Sequence, residues 1–497
     1  MQALRFFAGR KTATSGGMSP ARSSRLIPYV VACALFMENL DSTVLATALP
    51  AIAHSLGESP LHLNLAITSY LLSLAIFIPV SGWIADRFGA RRVFCTAIVV
   101  FTLGSISCGF ADSFWGLVAS RVIQGLGGAM MVPVGRLVLL RSVPRSEVVQ
   151  ALATLTIPAL VGPIIGPPLG GFITTFFHWR WIFFINIPIG ILGIVMAMRF
   201  VPNIKEDDTP PLDTIGFLLS GFGFALLMLG FASGGRHMIP AEISAGCVIV
   251  GAICLVLYVF HARRTPFPVL QLGLLKIPTF RISVVGGFLF RIGIGAIPFL
   301  LPLMLQVGFG LSPLASGSLT FIAAVGALFM KTMAKRILEW TGFRRLLTVN
   351  AFIGAAFVAA NGFFSPETPH WLIMIILLVG GCFRSLQFTS LNAIGYADIS
   401  NREMSYATSL SSALQQVSLS IGVAFGAYVL EFAASLDGDA TITAADFAPA
   451  FWAVAFISAL SGYIFVRLTP TAGAEMSGHK IVKEKPPSTG LGDGMSG

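Results

Sequence analysis

The stretch Leu26–Ala53, LIPYVVACALFMENLDSTVLATALPAIA, decides the fold. It is apolar over a length that crosses a bilayer as one helix, for which roughly 20 residues are needed. Near its middle stand two carboxylates, Glu38 and Asp41. An acid at the centre of a membrane helix costs about 2.5–3.5 kcal/mol on insertion scales, so two in one span call for a use. Three residues apart, they lie about 60° apart around a helix and ~4.5 Å along it. They share a face, and that face is expected to look into protein or a water-filled cavity rather than lipid.

The rest of the chain fits the same solvent. Of 497 residues, 55% are hydrophobic and 11% charged, with a mean hydropathy of +0.83. Soluble domains carry about 25% charge, so the composition points to a polytopic membrane protein. The six cysteines all fall in apolar runs without ligand spacing and read as free thiols that pack as small hydrophobes. The histidines sit mostly at span ends or in loops, and no metal, haem or other cofactor is expected. Nor is there a phosphate loop or nucleophile elbow, which argues against an enzyme.

About fourteen apolar spans follow one another, with cores near 27–50, 63–82, 93–111, 115–139, 148–173, 181–199, 213–233, 243–261, 280–308, 313–334, 345–364, 371–395, 405–432 and 448–467. The net charge of +10 is spread as a topology signal rather than as a nucleic-acid surface. Basic residues collect in alternate connections: Arg87, Arg91 and Arg92; Arg141 and Arg145; Arg199 and Lys205; Arg263, Arg264 and Lys276; Lys331, Lys335, Arg336, Arg344 and Arg345; Arg402. The opposite connections hold only Arg180 and Arg236. By the positive-inside rule, both termini are expected in the cytoplasm. Residues 1–25 read as an uncleaved cytoplasmic tail, with Met1 or Met18 as the start.

The chain also echoes itself. Glu38 precedes Gly89 by 51 residues, and Arg291 precedes Gly342 by 51. Arg121-Val122-Ile123-Gln124 in the fourth span is matched by Arg384-Ser385-Leu386-Gln387 in the twelfth. Two related six-span halves are expected, 26–200 and 263–470, as in many secondary transporters. A polar linker, 201–211, and an inserted helix pair, 212–262, lie between them. Residues 471–497 are Gly/Ser/Pro/Lys-rich and expected to be a disordered cytoplasmic tail.

Three motifs carry chemistry. After the second span comes Gly82-Trp83-Ile84-Ala85-Asp86-Arg87-Phe88-Gly89-Ala90-Arg91-Arg92, where the glycines permit a turn or close approach and Asp86 caps a helix or pairs with a base. In the fourth span, Arg121 needs a counter-charge or water. Asp41 or Glu38 is the natural partner, with snorkelling to an interface as the alternative; for Arg136, snorkelling is the expectation. In the fifth span, Gly162, Gly166 and Gly170 make a groove at four-residue spacing, followed by Gly171. Pro163, Pro167 and Pro168 deny backbone bonds there.

The Gly82–Arg92 pattern resembles the signature loop of the major facilitator superfamily. The Gly162–Gly171 run resembles the fifth-span signature of its drug:proton antiporters. Leu40-Asp41-Ser42-Thr43-Val44 with Ala48-Leu49-Pro50, and Trp179–Gly190 at the entry to the sixth span, resemble the fourteen-span branch. That resemblance implies an all-α fold of two six-helix bundles plus two inserted central helices, working by alternating access. It implies export of amphipathic drugs or toxic compounds in exchange for protons across a bacterial inner membrane. A periplasmic adaptor and an outer-membrane channel are possible partners of such exporters. The Asp41 and Arg121 positions are implied in proton coupling, the Asp86–Arg87 loop as a conformational latch, and the Gly-Pro run as the mark of antiport. For Glu38 three roles are open: holding a cationic substrate, sharing the proton with Asp41, or pairing with Arg291. Gln124, Arg291, Arg384 and Gln387 are further cavity candidates. The two arginines are open either to pairing with the first-half acids or to binding an anionic cargo. The rival functions are a proton-coupled carrier of one metabolite on the same fold and a non-transporting membrane sensor.

Overall fold

The computed structural model describes residues 20–58, 60–206, 208–234, 240–436 and 443–479, with some side chains inside these ranges excepted. Residues 1–19, Arg236 and residues 480–497 lie outside them, and with them most of the N-terminal tail and Met18.

The described residues form helices and no strand. In chain order these are α1 Pro20–Leu56, α2 Pro60–Phe77, α3 Ser81–Phe88, α4 Ala90–Gly109, α5 Phe114–Ser142, α6 Val148–Phe176, α7 Trp181–Phe184 and α8 Asn186–Phe200. Then come α9 Thr214–Gly234, α10 Ala241–Arg264, α11 Pro278–Leu303, α12 Pro313–Ala360, α13 His370–Ile394, α14 Met404–Leu436, α15 Phe447–Phe465 and α16 Ala474–Ser477. Among the described residues, 11 helices are long and apolar enough to cross a membrane, or 12 if the bent α1 counts as one span. The chain is a multi-pass membrane protein.

Local chemistry sets the element ends. Ser113 and Ser312 cap α5 and α12 by accepting from the Gly116 and Ala315 amides at 3.2 Å each. Pro298 and Pro302 sit inside α11, which gives way to a π-helical turn at Met304–Gly308. The segment Gly82–Arg92 is not a loop but two helices meeting at Gly89, whose φ of 94° favours glycine. Gly342 takes the same part in α12: with φ 68° it breaks a 48-residue helix into two arms. The two glycines related by the internal echo thus do the same work.

Close packing relies on small residues, because lipid is as apolar as leucine and burial alone brings membrane helices together weakly. A Cβ at Gly127 on α5 would stand 2.5 Å from the Phe101 amide of α4, and one at Gly104 would meet the Gln124 backbone at 2.6 Å. The inserted pair α9 and α10 packs on itself, with α9 also against α2 and α14; Phe77 and Phe217 meet at 6.0 Å. One face of α10 carries exposed Ile249, Ile253, Val256 and Phe260, a surface suited to lipid.

The buried apolar residues fall into three clusters. One joins both halves at the end carrying the basic connections, from Val31, Phe94 and Leu137 to Phe280, Phe343 and Met404. At the opposite end there are two separate clusters, around Val44, Ala48 and Phe183 in the first half and around Leu300, Leu305 and Phe451 in the second. The halves are therefore fused at one end and split at the other.

Three expectations are corrected here. Residues 471–479 do not belong to a disordered tail: α16 buries Met476, and the His479 ring bonds the Glu339 carbonyl at 2.7 Å. Lys331 is no loop residue; it is buried within α12 and donates to Thr389 Oγ1 at 2.6 Å. Arg136 does not snorkel outward; it is buried, facing the Tyr396 hydroxyl of the other half at 3.4 Å.

Candidate functional site

The first span delivers Asp41 into the interior of the first half, where it is 2% exposed. Arg121 on α5 donates from Nη1 to Asp41 Oδ2 at 2.6 Å and to Gln124 Oε1 at 2.6 Å. Gln124 Nε2 and Asn186 Nδ2 each donate to Asp41 Oδ1 at 2.9 Å. Ser105 ties Asn186 to the cluster at 3.0 Å and donates onward to the Phe183 carbonyl. The Arg121 Nε reaches the Ala66 carbonyl at 3.3 Å, and its guanidinium lies 4.5 Å from the Tyr70 ring centre. A buried charge is tolerated where it is paired and its remaining lone pairs are bonded, and Asp41 meets both conditions. The alternatives left open for Arg121 resolve to Asp41, with no snorkelling.

Glu38, one turn away, is different. Tyr70 stands beside it, but neither Glu38 Oε2 nor the Tyr70 hydroxyl makes a hydrogen bond of normal geometry, and both atoms are buried. No ion pair joins Glu38 to Arg291 among the described residues. Arg291 instead donates to Asn392 at 3.0 Å, lies 5.4 Å from the Phe388 ring centre, and leaves its Nε buried without a partner. Gln387 is fully buried and locks α13 to α12: it accepts from Asn350 at 2.8 Å and donates to the Leu347 carbonyl at 3.0 Å. Arg384 lines a separate cavity within the second half.

The glycine groove of α6 receives α1 itself. A Cβ at Gly166 would fall 2.1 Å from Thr43 Oγ1, one at Gly170 2.1 Å from Thr47 Oγ1, and one at Gly162 3.0 Å from the Leu40 amide. A Cβ at Gly171 would meet nothing within 4 Å among the described residues. The side chains of Pro163 and Pro167 lie outside the described residues. α6 runs through all three prolines as one helix.

At the basic end, Asp86 gathers both halves. Arg141 Nη1 donates to its Oδ1 at 3.0 Å, and Ser405 of α14 donates to its Oδ2. The Gly82 amide and Ser81 hydroxyl both reach Ser409 Oγ at 2.9 Å. A Cβ on Gly82 would meet the Ser405 carbonyl at 2.5 Å, so only glycine admits α14 this closely. Arg141 also reaches the Asn401 carbonyl at 3.1 Å and Glu206 at 3.3 Å, while Arg145 bonds the Ala397 and Ile399 carbonyls. Arg87 and Arg92 are exposed and Arg91 half-buried, and none of them joins this junction.

Sequence reading did not assign Asn186, Ser105, Tyr70, Arg141, Ser405 or Ser409. Asn186 was visible as the one amide in the apolar run Ile182–Gly190. The others signal nothing until the helices are brought together.

A carboxylate held by arginine inside a span, a glycine groove against the same helix, and two halves joined at one end define a membrane carrier. The chain belongs to the Major Facilitator Superfamily, whose family model matches residues 31–423. It is 39% identical over 451 residues, 90% of this chain and 95% of the relative, to "Putative multidrug resistance protein MdtD" of Shigella flexneri and of Escherichia coli O157:H7. Among solved structures, the proton:xylose symporter XylE superposes with TM-score 0.63 at 14% identity, covering 93% of this chain and 99% of that one. The human organic anion transporter MFSD10 superposes with TM-score 0.63 at 15% identity, covering 89% and 99%. These two likenesses concern the fold.

Proposed function

We propose that the protein exports amphipathic organic compounds in exchange for protons, with Asp41 as the proton-carrying group. The observation that carries this reading is the Asp41–Arg121 pair, buried in the membrane-spanning part of the first half and clamped by Gln124 and Asn186. A carboxylate in such a setting changes proton affinity when its partners move. Glu38 lies three residues before Asp41 on the same helix, so a second carboxylate stands one turn from the pair. Proton loss and substrate uptake can then exclude one another at one site. The likeness to a protein named for multidrug resistance supports the same cargo class.

On our reading the chain has fourteen spans. Eleven helices, or twelve with the bent α1, are long and apolar enough to cross, and we assign two further crossings to the 29-residue α6 and the second arm of α12. Both termini then lie on the side of the basic connections, the cytoplasm, in a bacterial inner membrane. On that reading the Asp86–Arg141–Ser405 junction closes the cytoplasmic side, and the split cores open outward. An adaptor and outer-membrane channel could extend the export route.

The test uses everted membrane vesicles carrying an inside-acid gradient followed by a pH-sensitive dye. Cationic, neutral and anionic amphiphiles are added in turn. Discharge by some compounds in wild type but not in Asp41→Asn supports antiport. No discharge by any compound, with the protein present in the membrane, favours a carrier of a single metabolite.

A further inference from the structure

Inside the second half lies a cavity of ≈ 270 Å³ between α11, both arms of α12, α13 and α15. Its walls are apolar, formed by Phe290, Ile294, Leu301, Phe357 and Leu377 among others. Its polar lining is sparse: Arg384, Thr320, Asn361 and Ser458. Among the described residues no carboxylate lines it. Arg384 is half-buried at the cavity wall and has neither an ion-pair partner nor a hydrogen bond among the described residues; the Ser458 hydroxyl is buried without a partner.

The internal repeat explains why this arginine is alone. Arg384 corresponds to Arg121, and the counterpart of Asp41 is Ile294. Asp41 precedes Gly89 by 48 residues, and Ile294 precedes Gly342 by 48. Arg384 and Ile294 line the same cavity, as Arg121 and Asp41 touch in the first half. The second half has an arginine with an aliphatic residue where the first half has an arginine with an acid, and a cavity where the first half has a bonded cluster. An unpaired guanidinium in apolar surroundings is costly unless an anion joins it.

We infer that this cavity binds an amphipathic carboxylate, its head on Arg384 with the Ser458 hydroxyl donating to it and its apolar body against Phe290, Ile294 and Leu377. The site is separate from the Asp41 cluster and goes beyond the export reading. Because it is an equilibrium binding site, it stands whether or not Asp41 carries protons. The carboxylate reaches it either from solution or from the bilayer as a fatty acid.

The experiment is calorimetric titration of the full chain in phosphatidylcholine nanodiscs with octanoate, octanol and octylammonium. Wild type is expected to bind octanoate at least about tenfold more tightly than either analogue, as befits a charge-assisted contact. Arg384→Gln is expected to lose that preference. Ile294→Asp, which supplies the missing counter-acid, is expected to lose it while keeping the arginine, so one folded variant suffices. Benzoate competing from solution would identify a soluble carboxylate as the occupant; competition only by membrane-dissolved oleate would identify a lipid. Octanol binding as tightly as octanoate, unchanged octanoate affinity in either variant, or no octanoate binding to wild type overturns the inference.

Discussion

Arg121 and Asp41 face each other at 2.6 Å with both side chains 1% exposed, although 80 residues separate them in sequence. Removing one partner of such a pair strands the other charge, at a cost of about 3–5 kcal/mol. Arg121→Ala is therefore expected to lower the melting temperature of the purified protein far more than the double variant Asp41→Asn/Arg121→Gln. Equal destabilisation in both would show that the charge balance is not what matters there.

The α6 groove allows a comparison within one helix. Gly166→Ala places a methyl group against Thr43, where it would fall 2.1 Å from the hydroxyl oxygen. Overpacking of this kind costs about 1–3 kcal/mol and separates the helices. Gly171→Ala meets nothing. Efflux of a fluorescent amphiphile from cells should fall severalfold in the first variant and stay at wild-type rate in the second, at matched protein levels. Similar efflux in both would mean that the α1–α6 contact is not limiting.

Gly82→Ala and Ser405→Ala both attack the junction at Asp86. The first inserts a Cβ into the Ser405 backbone, and the second removes a hydroxyl that donates to Asp86. Spin labels at Arg92 and Arg402, both exposed on the same end, should report longer distances in each variant than in the unmutated background. Unchanged distance distributions would remove Asp86 from the role of latch.

Gly89 and Gly342 share a positive φ, 94° and 68°. With ψ of 128° and 167° both lie outside the left-handed helical region, and alanine at either position is expected to cost about 1–3 kcal/mol. Gly89→Ala should cost more, because its Cβ also falls 2.6 Å from Asn203, against 3.2 Å to the nearest atom at Gly342. Chemical denaturation of the two variants ranks them; the reverse order would show that backbone strain, not crowding, sets the cost.

Much of this architecture was legible because a charge inside a span must find a partner. That rule narrowed the partner of Arg121 to Asp41 or Glu38, and the pairing at 2.6 Å chose Asp41; the repeated spacing marked Gly89 and Gly342 as equivalent. Depth was not legible. Arg136 and Lys331 were read by their distance from span ends, yet both are buried between helices, since neighbouring side chains rather than sequence position decide whether a base reaches water. Nor could Arg141 or Ser405 be assigned to Asp86. They lie 55 and 319 residues from it, and serine and a loop-side arginine are unremarkable until α14 docks on Gly82.

The most direct measurement follows protons from purified wild-type protein and Asp41→Asn in weakly buffered detergent solution, with a pH indicator and added tetraphenylphosphonium or another amphiphile shown to bind. If substrate and proton compete at Asp41, binding to wild type releases protons, and its affinity weakens as the pH falls; Asp41→Asn binds without release and with little pH dependence. Binding that releases no protons from wild type, or equal release from Asp41→Asn, would contradict proton coupling through this residue.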